Sequence, residues 1–241
     1  MMARAALLAG LVLGAVPQAL AEPVAVDLEL AFVVDASGSI DAEETRLQRQ
    51  GYADALANER VIGVISRGIL RSIAVSYIEF AADGCTQLSV PWARIDGAEA
   101  AIAFGQQILA QPRLFCPGGN AIGEALTFAA ASIQSNQFEG TRRVIDISGD
   151  GPNTIGIPVV VVRDLVVASA ITINGLVIER PSMPELDIYY REVVTGGPLS
   201  FVLKAENRQV FARAILKKLI IEIAGAVGPP LAGETKTAER Q

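Results

Sequence analysis

An apolar run over residues 28–34 (Leu-Glu-Leu-Ala-Phe-Val-Val) ends in Asp35-Ala36-Ser37-Gly38-Ser39, and this junction narrows the possible folds more than any other stretch. A nearly continuous apolar run reads as a strand buried on both faces, as in the centre of a parallel sheet. Open α/β sheets bind their ligands beyond the carboxyl ends of such strands. Asp35, Ser37 and Ser39 therefore stand where a site is expected. Their oxygens are hard donors, suited to Mg2+, Mn2+ or Ca2+ rather than to zinc.

The rest of the chain alternates strand and helix patterns. Asp41-Ala42-Glu43-Glu44 is a capping box that opens a helix over 42–58, with Leu47, Tyr52, Ala55 and Leu56 as its inner face. A strand over 71–80 follows, and Ala82-Asp83-Gly84 turns it back into an antiparallel edge strand over 86–90. Asp96-Gly97-Ala98-Glu99 is a second capping box, and Pro112 stops its helix. Further helices are expected over 120–133, 158–169, 186–194 and 207–223, and strands over 142–148, 172–178 and 199–203. The alternation predicts a Rossmann-like, doubly wound α/β fold: a mostly parallel sheet with one antiparallel edge strand and helices on both faces. One domain over 24–224 accounts for it, and the glycine-, proline- and charge-rich residues 225–241 read as a disordered tail.

The spacing Asp35-x-Ser37-x-Ser39 resembles the first loop of the von Willebrand factor type A domain, where it belongs to a metal-ion-dependent adhesion site. The resemblance extends over the whole domain. Asp150-Gly151, after the strand ending in Ser148, is similar to that family's third loop. Its second loop supplies a threonine at a helix start, and here Asn120 in Gly119-Asn120-Ala121-Ile122-Gly123 takes that place. Residues 144–153 and 172–176 also resemble a bacterial group of exported type A proteins. The resemblance implies a divalent ion, Mg2+ or else Mn2+ or Ca2+, held by Asp35, Ser37, Ser39, Asn120 and Asp150. It further implies a protein partner that presents an acidic side chain to the ion. Each residue also has a plainer role. Asp35, Ser37 and Ser39 form turns, Asp150-Gly151 is a turn dipeptide, and Asn120 is a good helix N-cap.

Composition removes several function classes. The chain has no histidine, which excludes Ser-His-Asp and Cys-His catalysis and histidine-bound zinc. No glycine-rich loop carries the GK[ST] of a P-loop, and no GxGxxG follows the first strand. With 20 basic and 26 acidic residues, the chain is a poor match for nucleic acid or an anionic membrane surface. Arg4, the short apolar run 5–16 and Ala19-Leu20-Ala21 read as a signal peptide over 1–21, too short to span a bilayer. The expected location is thus exported, periplasmic or secreted. There, two cysteines more often form one disulfide than a reactive pair, so Cys85 and Cys116 are expected to be joined. The expected function is a non-enzymatic, metal-dependent protein-binding module. The alternatives are a structural scaffold with a degenerate metal site, or a metal-dependent hydrolase. The hydrolase reading is the weaker, because Ser37 stands where a second aspartate would serve as acid–base group.

Overall fold

The structure, a computed structural model, describes residues 22–116, 118–206 and 210–225. The expected signal peptide, and all of the expected tail except Gly225, lie outside the described residues. In chain order come β1 (Val24–Val26), β2 (Leu28–Asp35), α1 (Ala42–Leu56), α2 (Glu59–Ile65), β3 (Ile73–Phe80) and β4 (Thr86–Ile95). These are followed by α3 (Ala98–Ala110), α4 (Ile122–Ser135), β5 (Phe138–Gly140), β6 (Arg143–Gly149) and α5 (Val159–Ala168). Last come β7 (Thr172–Ile178), α6 (Leu186–Tyr189) with a π-helical turn (Tyr190–Val194), β8 (Val202–Ala205) and α7 (Phe211–Ala224).

β2 is buried along its whole length, as its apolar run requires. It lies between β3 and β6 in a six-stranded sheet ordered β4-β3-β2-β6-β7-β8, in which only β3 and β4 run antiparallel. Alternate residues feed two cores. Leu28, Leu30, Phe32 and Val34 join α1, α2, α3 and α7 on one face. Ala31 and Val33 join α4 and α5 on the other. The register pairs Val34 with Ser148, so Asp35 and Asp150 leave the sheet side by side. Among the described residues, no helix is long and apolar enough to cross a membrane.

Several elements differ from the expected bounds. α1 stops at Leu56, and Asn58 caps a separate helix, α2, through its Oδ1 on the Arg60 amide. Leu47 faces outward, because the buried stripe of α1 runs through Thr45, Gln48, Arg49, Tyr52, Ala55 and Leu56. Arg49 is accommodated there by a buried ion pair with Glu79 at 2.7 Å. β4 continues to Ile95, past Pro91, because an edge strand with an irregular register tolerates a residue lacking an N–H. Asp96 caps nothing: Gly97 is the N-cap of α3, without a side-chain bond, and Asp96 lies 3.7 Å from Arg94. The last strand begins at Val202 rather than 199, since Leu199 has φ +59°. The described part of the closing helix begins at Phe211, and residues 207–209 lie outside the described residues.

One feature of the core breaks the apolar pattern. Lys218 of α7 is fully buried, with Nζ 2.5 Å from Asp146 of β6 and 2.6 Å from Glu222. Asn174 of β7 donates to the same Glu222 oxygen at 2.9 Å. Burial first, and the Glu222 charge second, push the Asp146 carboxyl well above the usual carboxylate range. Lys218 is thus the shared counter-charge of two carboxylates and ties the closing helix to the sheet. Lys218→Ala is expected to cost about 3–5 kcal/mol in urea unfolding at pH 7.

Candidate metal centre

Three loops meet at the carboxyl end of the sheet. In the first, Asp35 closes β2, and the Ala36 amide continues the pairing by donating to the Phe80 carbonyl at 2.8 Å. Asp35 is fully buried, and its Oδ1 accepts the Ser37 amide at 2.8 Å. The Ser37 and Ser39 hydroxyls are 3.1 Å apart. In the third loop, Asp150 follows β6, is 2% exposed, and accepts the Ser39 hydroxyl on Oδ1 at 3.0 Å. In the second, Asn120 directs its Nδ2 to the Gly151 carbonyl at 3.2 Å and to Asp35 Oδ2 at 3.4 Å. All five expected residues thus converge in space.

Asn120 is not the helix cap that its position allowed. The N-cap of α4 is Ala121, without a side-chain bond, and Asn153 of the third loop accepts the Gly123 amide at 3.2 Å. Thr154 locks the second and third loops together. Its hydroxyl accepts the Asn120 amide at 2.7 Å, and its own amide donates to the Asn120 carbonyl at 2.9 Å. This frees the Asn120 side chain for the centre, where its Oδ1 is buried without a hydrogen-bond partner.

Two buried carboxylates, Asp35 and Asp150, stand close enough for the charge of one to act on the other. Burial, followed by the Asp150 charge, raises the Asp35 carboxyl to about 6, against the opposing pull of the Ser37 hydroxyl and amide. Among the described residues there is no cluster of three or more His, Cys, Asp or Glu side chains suited to a metal. The available set is two carboxylates, two hydroxyls and one amide oxygen, which matches a hard, octahedral cation that keeps some of its waters.

Arg180 escaped the sequence reading. It lies just beyond β7, the strand beside β6, and so at the same edge of the sheet. Its Nη2 contacts Asp150 Oδ2 and donates to the Ser39 carbonyl at 3.2 Å. No motif marks it. The topological rule that placed Asp35 and Asp150 also covers residues after β7, and that was the available signal. Cys85 and Cys116 form a disulfide with a Cα separation of 6.4 Å. Together with the Ala121 amide, which donates to the Ala81 carbonyl at 2.9 Å, it holds the approach to the second loop against the end of β3.

This architecture is that of the von Willebrand factor type A domain. Residues 25–227 match the family described as "Protein of unknown function (DUF1194)", and the chain belongs to that family. Three solved structures illustrate the fold. The pilus adhesin SpaC of Lactobacillus rhamnosus GG superposes with TM-score 0.60 at 16% identity, over 86% of this chain and 31% of the adhesin. Proximal thread matrix protein 1 of the mussel byssus, in a form with a zinc-occupied MIDAS motif, gives 0.57 at 17% identity, over 85% of this chain and 49% of that one. A von Willebrand factor type A protein of Catenulispora acidiphila gives 0.50 at 16% identity, over 84% and 43%. The chain thus spans less than half the length of each of these three proteins. No curated protein sequence matches it at a significant level.

The raised Asp35 carboxyl has a definite signature. In the unfolded chain it titrates near 3.8, and in the folded chain near 6, so the folded form holds the proton more tightly. Its contribution to stability is complete below about pH 4 and is lost as the pH rises through 6, a difference of about 3 kcal/mol. Denaturation in chelator from pH 4 to 7.5 should show this decline. Asp35→Asn should flatten it, and millimolar Mg2+ or Mn2+ should offset it at pH 7.

Proposed function

We propose that this protein is an exported binding module in which Asp35, Ser37, Ser39, Asn120 and Asp150 hold a divalent cation, through which it engages an acidic side chain of a protein partner. The observation that carries the reading is the convergence of two buried carboxylates with an unpartnered amide oxygen at the strand ends. Burying the pair is costly unless a positive charge or a proton compensates. When bound, the cation supplies that charge and Lewis acidity toward one outside oxygen. This chain's own residues fix the carboxylates. The Ser37 amide orients Asp35, the Ser39 hydroxyl orients Asp150, and Thr154 keeps Asn120 in register with the third loop. The five side chains offer hard oxygen donors at one end of the sheet, which suits cation binding. Adhesion and matrix proteins among its structural neighbours support the same reading.

The rival scaffold reading has one observation in its favour, the ion pair that Arg180 already makes with Asp150. Calorimetry separates the two. Wild-type protein should bind Mn2+ and Mg2+, and Asp35→Ala should abolish binding while keeping the fold. Asn120→Ala should weaken binding roughly tenfold or more, whereas Asn120→Thr should preserve it. Absence of binding by the wild type up to millimolar metal would favour the scaffold.

A further inference from the structure

We infer that Arg180 is a tethered cation that competes with the divalent ion for Asp150, so that its displacement sets how tightly the centre binds metal. This rests on the metal-centre reading above and concerns a residue that reading does not use. Asp150 has two oxygens. One accepts the Ser39 hydroxyl, and the other is taken by the guanidinium of Arg180. A guanidinium stays charged at every accessible pH, so it cannot yield by losing a proton. A divalent ion held by Asp35 and Asp150 would bring a second positive charge to a carboxylate that already carries one and is 2% exposed. Like charges this close, in a partly dry setting, repel by several times the thermal energy. The two cations are therefore alternatives for Asp150.

The contact is also built to release. The Arg180 side chain is 25% exposed, so its head has a short path to solvent. Its Nε is buried without a partner, so the pose leaves one donor unsatisfied that water would satisfy after displacement. The neighbouring acid does not hold it either: Glu179 pairs with Lys204 at 2.9 Å. The backbone can stay in place, because the turn from Arg180 is closed by the Met183 amide on the Arg180 carbonyl at 2.9 Å. The competing view is that Arg180 is a brace, since it joins the Ser39 carbonyl of the first loop to Asp150 of the third. The two views predict opposite signs. Removing a competitor tightens metal binding, whereas removing a brace loosens it.

The test is Mn2+ calorimetry on the full chain and on Arg180→Gln, both stripped with chelator first. Competition predicts that the variant binds about tenfold more tightly. It also predicts a larger Mn2+-induced rise in melting temperature for the variant. A second readout needs no substitution. By reciprocity, Mn2+ should expose Arg180 in the wild type and speed its labelling by an arginine-specific dicarbonyl, followed by peptide mass spectrometry. Binding by the variant alone would support the inference most strongly. Equal or weaker binding by the variant, or labelling indifferent to Mn2+, overturns the inference and leaves the metal centre standing. No binding by either protein overturns both.

Discussion

The parallel pairing of β2 with β6 is the constraint on which the rest of the molecule depends. Each strand is apolar enough to be buried, and β2 needs cover on both faces. That need recruits one set of helices to each side, and the carboxylates the strands carry within their length, Glu29 and Asp146, are buried against Arg143 and Lys218. Asp35 is the last residue of β2, and Asp150 comes directly after β6. They meet because the register from Glu29↔Arg143 to Val34↔Ser148 allows no slip: a shift by one residue would turn Phe32 and Val34 toward the wrong core. The centre is thus a product of hydrophobic register, and its charge repulsion is imposed by a much larger burial energy.

That hierarchy explains what could be read from the amino-acid sequence. The long apolar strands and the residues just after them were legible, because burial on two faces leaves a continuous signature and ligand positions follow from topology. The three-residue strands β1 and β5 were not, since they are shorter than any pattern that periodicity can reveal. Polar residues inside the fold were hidden for a different reason. Arg49 and Lys218 lie on helical faces where charge normally marks solvent, and only their partners on β3 and β6 make burial tolerable. Asn120 was assigned two roles by its local sequence. The capping role fell to Asn153, thirty-three positions away, whose Oδ1 accepts the Gly123 amide.

The buried face and the carboxyl end of the sheet treat charge differently. On the α7 side, Lys218 balances Asp146 and Glu222 within a closed core, and the group is a permanent fastening. At the sheet end, Arg180 meets Asp150 across a partly solvated rim, and Asn120 Oδ1 remains unpaired. The two clusters differ in solvent access: the Lys218 side chain is fully buried, whereas that of Arg180 is 25% exposed.

The disulfide between Cys85 and Cys116 has a consequence for the cost of recognition. It shortens the free path of the chain leading to Asn120, so much of the second loop's conformational entropy is lost during folding. Less then remains to be lost when a ligand arrives, which is the thermodynamic meaning of preorganisation. In a reducing compartment the same loop would carry that ordering penalty at each encounter. Under the proposed function, affinity at the sheet end would thereby depend on the oxidation state of Cys85 and Cys116.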